Sequence, residues 1–331
     1  MIGERTDKFY SLYEKERKKV EVRLKNSLTN RKPYSLYKPA AYIIEEGGKR
    51  LRPLLVLLAA KAVGGKFTGA YNASVAVELL HNFTLVHDDI MDNAGKRRGK
   101  PTVHVKYDTN TAILAGDSLL SVAYEFLLKD CNGNTKEIVA AFTRGLVEVC
   151  EGQSLDKDFE TQKKVSLDEY IIMIEKKTAA MAEMCCKIGA MLGKGTTKEI
   201  NALAKFGKNI GIAFQIHDDL LDITGNENDF GKFVGGDLVE GKKTYLFIKA
   251  LEKAKGADRK KLLKVVEDKG IKPKQIPEYK NIYIRLNVLR DAQDEIKNYT
   301  NKALGSLKIL KRREDKEIFT WLADSLIKRN K

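Results

Sequence analysis

Proline is scarce in this chain. Among 331 residues there are 6 prolines, and none lies between Pro101 and Pro273. An average composition would give about 17 prolines at this length. Because an interior proline breaks or kinks a helix, so long a stretch without one favours helices. A disordered or fibrous protein is excluded as well, since 43% of the residues are hydrophobic and can fill a sizeable core.

Cysteine is also scarce, and its placement does not suggest a zinc site. The four cysteines are Cys131, Cys150, Cys185 and Cys186. Their spacing does not match the ligand pairs of zinc sites. We therefore expect reduced thiols in a cytoplasmic protein.

Long apolar runs are missing too. The best run, residues 54–60, is stopped by Lys61 long before the length of a membrane span. Residues 1–8 lack the apolar core of a targeting signal. The sequence thus predicts no stable membrane anchoring.

Helical patterns extend over nearly the whole chain, and no Ser-rich or Pro-rich linker divides it. Ser166 with Glu169 and Thr196 with Glu199 have the spacing of capping boxes, and Gly193 is suited to end the helix before it. We predict a single all-α domain over residues 1–331, a bundle of about a dozen helices. The predicted helices cover residues 4–28, 36–46, 51–63, 70–93, 110–130, 135–153, 167–192, 197–224, 242–254, 258–268, 282–303 and 313–329.

The chain is basic, with 60 Lys and Arg against 45 Asp and Glu. Such a charge suits an anionic partner: a nucleic acid, an acidic membrane or a phosphorylated metabolite. However, the basic residues are mostly interleaved with acids, as in residues 14–19 and 311–317. That pattern is typical of solvated helix faces, so we expect no nucleic-acid partner.

Two acidic hexapeptides repeat one pattern. Residues 87–92 read His-Asp-Asp-Ile-Met-Asp, and residues 217–222 read His-Asp-Asp-Leu-Leu-Asp. On a helix, Asp88 and Asp92 lie one turn apart, as do Asp218 and Asp222. Like charges at this spacing repel, and the C-terminal half of a helix disfavours anions. Bound divalent cations would offset both effects, and oxygen ligands favour Mg²⁺ or Mn²⁺, which then recruit substrate phosphates.

Basic residues near glycines provide a second kind of anion site. Residues 47–53 read Gly-Gly-Lys-Arg-Leu-Arg-Pro, which places Lys49 and Arg52 at i, i+3 on one predicted helical face. Arg97 and Arg98 follow the first acidic cluster, while Lys232 and Lys242 follow the second. Two acidic and at least two basic sets suggest two anionic substrates, only one of them held through metal.

Together these motifs resemble those of the trans-prenyltransferases, the head-to-tail isoprenyl diphosphate synthases. The family's glycine-rich basic motif matches residues 47–53, its first aspartate-rich motif with a following Arg-Arg-Gly-x-Pro matches residues 88–101, and its second matches residues 218–222. Its Lys-Thr pair matches Lys177 and Thr178, and its Gln matches Gln215. The resemblance implies an isoprenoid synthase fold around a central cavity. It also implies a homodimer that elongates an allylic diphosphate with isopentenyl diphosphate.

The resemblance also assigns roles to individual residues. Three Mg²⁺ ions, with Mn²⁺ as an alternative, would be held by Asp88, Asp92, Asp218 and Asp222. The allylic diphosphate would contact Arg97, Lys177, Lys232 and Lys242. Isopentenyl diphosphate would be held by Gly48, Lys49, Arg52, His81 and Arg98. The oxygen atoms of Thr178 and Gln215 would stabilise the allylic cation.

Product length is expected to depend on the helix before the first aspartates. The family's pocket is lined by the residues four and five positions before the first aspartate, here Thr84 and Phe83, with Leu80 a turn further back. Thr84 is small and leaves room, whereas Phe83 is bulky enough to form the floor of the pocket, to which Leu80 would add. This arrangement favours a short product, geranylgeranyl diphosphate, with farnesyl diphosphate as the alternative.

Three other activities remain open from the sequence. A class I terpene cyclase also ionises a diphosphate at an aspartate-rich motif, but it would not need Lys49 and Arg52. A non-catalytic prenyltransferase subunit is expected to lose aspartates that are intact here. Binding to DNA or acidic vesicles would show a steep salt dependence.

Overall fold

The computed structural model describes residues 2–225 and 234–327, with side chains from Asp7 onward. It is almost wholly helical, as predicted. The helices are α1 Ile2–Asn26, α2 Tyr34–Glu45, α3 Leu51–Ala62, α4 Tyr71–Met91, α5 Val103–Lys106, α6 Thr109–Asp130, α7 Thr135–Thr161, α8 Leu167–Ile174, α9 Ala180–Leu192, α10 Thr197–Thr224, α11 Gly236–Val239, α12 Tyr245–Lys253, α13 Gly256–Glu267, α14 Ile276–Arg285, α15 Val288–Ser306 and α16 Arg313–Ile327. A π-helical turn, Glu175–Ala179, joins α8 to α9. The described strands are β1 Lys96–Arg97 and β2 Lys100–Pro101, which pair antiparallel.

The predicted helix starts hold where a capping box marks them. The Ser166 backbone N–H donates to Glu169 Oε2 at 2.7 Å, and the Glu169 N–H donates to Ser166 Oγ at 3.3 Å. Thr196 and Glu199 make the same reciprocal pair at 2.9 and 3.3 Å. These bonds satisfy backbone N–H groups that have no partner within the helix.

The structure differs from the sequence prediction near residue 287. We predicted one helix over 282–303, but α14 ends at Arg285 and α15 begins at Val288. Asn287 lies between them in the left-handed conformation with φ 58°, which a continuous right-handed helix excludes. Helix α14 also begins at Ile276, before the predicted start at residue 282, and Pro277 lies in its first turn, where proline is tolerated.

Two other boundaries were wrong. Helix α7 continues past the predicted end at residue 153, because buried Phe159 extends its apolar face to Thr161. Helix α12 begins at Tyr245, with Thr244 Oγ1 accepting from the Phe247 N–H at 3.4 Å. Lys242 therefore precedes the helix.

Contacts between Cα atoms divide the described residues into two compact units. The first unit lies within Met1–Phe142, Met184–Ala204 and Ile309–Trp321, and the second within Thr143–Glu183, Lys205–Lys308 and Leu322–Lys331. Each unit combines segments that are far apart in sequence. That the whole chain is one domain stays a prediction.

The first unit is built around the pair α4 and α6. Helix α4 also packs against α3 and α1, and α6 against α2. Val77 and Leu80 of α4 and Leu119 of α6 are fully buried in this core. Among the described helices, only α6 is long and apolar enough to cross a membrane by length and composition. A core helix can have the same length and composition, and the inner face of α6 is buried in the core of the first unit.

The second unit has its own apolar core. Helices α8, α10, α12, α13, α14 and α15 contribute buried side chains to one cluster, which includes Ile174, Ile216, Phe247, Leu262 and Tyr283. This core fixes the inner ends of α8 and α10, which carry the second set of candidate site residues.

Candidate active site

The first acidic cluster lies at the end of α4, in the first unit. Asp88 is in the last helical turn, and Asp92 follows the helix, with its N–H donating to the Asp88 carbonyl at 2.8 Å. The two residues are therefore one turn apart, as predicted. Asp89 differs from them because it is buried, with 2% of its surface exposed, and accepts from Arg97 Nε at 2.9 and 3.0 Å.

A two-residue hairpin presents the arginine pair. Arg98 and Gly99 join β1 to β2 with φ angles of 49° and 79°, positive values that hairpin turns of this length favour. The Arg98 guanidinium donates to the Gly47 carbonyl. Arg97 instead pairs with Asp89. Part of its guanidinium is therefore occupied, although the resemblance assigns Arg97 to the allylic diphosphate.

The glycine-rich basic motif forms a turn before α3. Gly47 and Gly48 have φ angles of 74° and 151°, and a Cβ on Gly48 would lie 3.3 Å from Arg98 Nη1. Lys49 precedes the helix, and its carbonyl accepts from Tyr13 Oη. The prediction that Lys49 and Arg52 share a helical face is therefore wrong, because the left-handed Arg50, with φ 50°, separates Lys49 from α3.

The side chain of Arg50 holds this turn in place. Its side chain is almost fully buried and donates to Glu21 Oε2 at 2.7 Å, Glu78 Oε1 at 2.7 Å and the Ile44 carbonyl at 2.9 Å. These partners belong to α1, α4 and α2. A buried charge is tolerated when it is paired and hydrogen-bonded in this way. Arg50 was not among the predicted site residues.

Arg52 and His81 meet at the junction of α3 and α4. Arg52 Nη1 lies 3.2 Å from His81 Nε2. Burial and the charges of nearby arginines, Arg52 and Arg98 foremost, hold the pKa of His81 well below its usual value. The imidazole is therefore neutral at pH 7, and because a guanidinium can only donate, Nε2 is the acceptor. Arg52 and Arg98 therefore give this junction a net positive charge, to which the neutral His81 adds none.

The predicted chain-length residues lie on α4 one to two turns before Asp88. Leu80 is fully buried and Phe83 is 9% exposed. Thr84 is partly buried, and its hydroxyl donates to the His81 carbonyl at 2.8 Å. The spacing of Thr84 and Asp88 within one helix agrees with the prediction.

The second acidic cluster lies at the end of α10, in the second unit. Asp222 Oδ2 accepts from the Asp237 N–H at 3.3 Å, and its carbonyl accepts from the Gly235 N–H at 2.6 Å. Burial and the charge of Asp237 raise the pKa of Asp222 to about 7. Although burial opposes it, the carboxylates of Asp237 and Glu240 raise the pKa of Lys242 above its usual value.

Asp219 is the centre of a hydrogen-bond network. Its Oδ2 accepts from Tyr170 Oη at 2.5 Å and from the Tyr245 N–H at 3.0 Å, while Oδ1 accepts from Gln215 Nε2 at 3.2 Å. Gln215 Oε1 accepts in turn from Thr178 Oγ1 at 2.9 Å. The network connects Gln215 and Thr178, which were both predicted, to two tyrosines that were not.

Lys177 and this network border one cavity of about 130 Å³ in the second unit. Lys177 Nζ donates to Asp156 Oδ2 at 2.5 Å. Asp156 was missed because a single aspartate on the long α7 carries no motif. The lining residues are Asp156, Tyr170, Met173, Ile174, Lys177, Thr178, Gln215, Asp219, Asp237, Lys242, Lys243 and Thr244. Lys232 lies outside the described residues.

In both clusters the second aspartate is buried while the outer two are more accessible. Asp89 and Asp219 are 2% and 6% exposed, whereas Asp88, Asp92, Asp218 and Asp222 are partly or fully exposed. Within residues 2–225 and 234–327, no three His, Cys, Asp or Glu side chains are already assembled as a metal site. Mg²⁺ needs only one or two carboxylates, with water and phosphate completing its shell. The outer aspartates fit that requirement.

Comparison with known proteins agrees with this arrangement. The family model described as polyprenyl synthetase matches residues 33–283. A geranylgeranyl diphosphate synthase of Methanosarcina mazei is 48% identical over 236 residues, covering 71% of this chain and 73% of its own. The solved geranylgeranyl pyrophosphate synthetase of Pyrococcus horikoshii is 34% identical with a TM-score of 0.90, covering 98% of this chain and 99% of its own.

A more distant solved structure is a polyprenyl synthase from Caulobacter crescentus, complexed with calcium and isoprenyl diphosphate. It is 26% identical, has a TM-score of 0.89 and covers 98% of both chains. The chain described here therefore belongs to the polyprenyl synthetase family and is a prenyltransferase with the isoprenoid synthase fold.

Proposed function

We propose that this enzyme condenses isopentenyl diphosphate with allylic diphosphates of five to fifteen carbons and releases geranylgeranyl diphosphate. The observation that carries the proposal is the basic site formed by Arg52 of α3 and His81 of α4, the helix that also carries Asp88. A terpene cyclase, which uses one diphosphate, has no need of this second anion site. The similar proteins from Methanosarcina mazei and Pyrococcus horikoshii, named for geranylgeranyl diphosphate, support the product.

The basic site of the first unit is proposed to bind isopentenyl diphosphate. Arg52 and Arg98 can grip a diphosphate with paired N–H groups, and neutral His81 adds a hydrogen-bonding imidazole without further charge. Gly48 leaves room for the close approach of Arg98. Lys49 would act as a point charge beside them.

The outer aspartates are proposed to bind Mg²⁺ with the allylic diphosphate, and we infer three ions, with Mn²⁺ as a substitute. The family is generally dependent on divalent metals. Bound metal would stabilise the negative charge of the departing diphosphate. Lys177, Lys242, Lys232 and Arg97 would contribute positive charge to the same group.

Gln215 and Thr178 are proposed to stabilise the allylic cation through their oxygen atoms. The Gln215 amide cannot rotate freely, because Asp219 Oδ1 accepts from its nitrogen and this contact turns its oxygen towards Thr178. Met173 and Ile174 line the same cavity and would exclude water from the cation.

The assembly is proposed to be a cytoplasmic homodimer. Helix α6 supports the dimer, because Ile113, Leu114 and Leu128 are all exposed in the single chain. Leu128 follows Ile113 and Leu114 by about four helical turns, which places all three within an arc of about 100° on one side of α6.

One assay tests the activity and the product together. Purified protein is incubated with Mg²⁺, labelled isopentenyl diphosphate and each of the C5, C10 and C15 allylic primers. We expect elongation from each primer and accumulation of a C20 diphosphate. Main products of C15 would assign the alternative, farnesyl diphosphate. Cyclised hydrocarbon from one diphosphate alone, or no transfer with any primer, would contradict the proposal.

A further inference from the structure

His87 is a residue of α4, and its side chain packs against α6. It lies one turn after Phe83 on α4, and the two rings pack with their centroids 4.6 Å apart and tilted by 58°. The imidazole therefore rests directly against the residue that is proposed to end the product pocket.

Gly116 of α6 forms the other side of this contact. A Cβ on Gly116 would lie 2.4 Å from His87 Nε2 and 2.6 Å from His87 Cδ2. Carbon atoms do not approach other side chains so closely, so the imidazole can keep this position only against a glycine. Both residues belong to the first unit.

The polar contacts of His87 are weak by comparison. Its Nε2 lies 3.4 Å from the Ile113 carbonyl and 3.7 Å from Asp117 Oδ1. Good hydrogen bonds of this type are about 2.7–3.2 Å long. Packing between Phe83 and Gly116 therefore determines the position of the ring more than hydrogen bonding does.

We propose that His87 is a positioning residue for product length. Its imidazole packs between Phe83 and Gly116 and thereby holds the Phe83 ring in place. The inference rests on the proposed function, because it concerns the same pocket. It extends that function to residues that do not line the pocket themselves, since His87 acts only through Phe83.

The first test is the variant His87→Ala. Loss of the imidazole leaves space beside Phe83, so its ring can withdraw from the pocket. One methylene in an apolar pocket changes discrimination by about tenfold or more. We therefore expect the ratio of C25 to C20 products to rise about tenfold. Product lengths are measured with the C15 primer and labelled isopentenyl diphosphate, normalised to total transfer.

The second test combines this change with Gly116→Ala. The new methyl group must displace the imidazole, so Gly116→Ala alone should alter the product ratio. In the His87→Ala background there is no ring to displace, and adding Gly116→Ala should have no further effect. Gly305→Ala is the matched control, because it also adds a methyl group to a helical glycine, but with no atom within 4 Å. It should leave the ratio unchanged.

The outcomes separate this inference from the proposed function. If wild-type protein transfers no prenyl group, the proposed function fails. If the variants are active but His87→Ala keeps the wild-type product ratio, or Gly116→Ala shifts that ratio equally in both backgrounds, the positioning role of His87 is refuted. The proposed function is then unaffected. Thermal melts identify any variant that does not fold. Should His87→Ala be one of these, Gly116→Ala decides alone, and an unchanged ratio overturns the proposal.

Discussion

At the scale of single residues, the outer aspartates are expected to act through metal. We predict that Asp88→Ala lowers turnover by several orders of magnitude, because one carboxylate ligand is lost where charge develops on the leaving diphosphate. Thermal stability should change little, since Asp88 is partly exposed. Chelation of divalent ions should have the same effect in the wild type. The control is Asp294→Ala on α15, a carboxylate 74% exposed. Near wild-type turnover of Asp88→Ala in Mg²⁺ would contradict the metal assignment.

Arg52 should discriminate between the two substrates. Loss of a hydrogen bond to a charged group weakens binding by about tenfold or more. We therefore expect Arg52→Ala to raise the KM for isopentenyl diphosphate by that factor, with a much smaller change for the allylic substrate. Arg290→Ala, which removes an exposed arginine of α15, is the control. Equal increases in both KM values would show that Arg52 does not belong to one substrate site.

His81 should make the protein sensitive to mild acid. Its pKa in the folded protein is lowered by burial and by the nearby arginines, so the unfolded chain binds a proton more readily. Keeping His81 neutral makes its full contribution to the free energy of unfolding above the unfolded pKa of about 6.5. That contribution is lost as the pH falls below this value. We expect the free energy of unfolding to fall more between pH 7.5 and 5.5 in the wild type than in His81→Asn. Parallel pH profiles, measured by urea unfolding without substrate, would disprove this.

At the scale of helices, Asp219 connects α8, α10 and the start of α12. Asp219→Asn would place an amide donor against Gln215 Nε2, so the Gln215 amide should turn over and withdraw its oxygen from Thr178. We predict a lower kcat with both KM values nearly unchanged. The matched control is Tyr170→Phe, which removes another donor to the same carboxylate but keeps the Gln215 contact. It should cost stability with a smaller loss of kcat. Equal kcat values for the two variants would rule out an effect through Gln215.

The same helices show how far the sequence predicts this fold. Helix interiors and capped starts followed from apolar spacing and from pairs such as Ser166 and Glu169, because these signals are local. The break at Asn287 was missed because its left-handed conformation depends on what the flanking helices pack against. Pairs such as Lys177 with Asp156, or Asp219 with Tyr170, were missed for a similar reason. Their members are 21 and 49 residues apart, and only the fold brings them together.

In the candidate site, the motifs identified residues that lie close together, whereas a helical geometry inferred from spacing was wrong. The resemblance identified Arg52, His81 and Arg98, which the structure places around one turn of the first unit. The spacing of Lys49 and Arg52 suggested a shared helical face, which the left-handed Arg50 prevents. A sequence motif predicts which residues meet the ligand. Their backbone conformation depends on a buried partner network, here Glu21 and Glu78 around Arg50, that no local pattern reveals.

At the scale of the whole molecule, the exposed apolar side of α6 predicts the mode of self-association. Leu114 is 59% exposed, and two copies of this side could bury their leucines against each other. We expect the wild type to have the mass of a dimer by light scattering, and Leu114→Glu to have that of a monomer, because a buried unpaired carboxylate is costly. Leu263→Glu on α13, also an exposed leucine, should remain dimeric. A monomeric wild type would refute the homodimer, and a dimeric Leu114→Glu would place the interface away from α6.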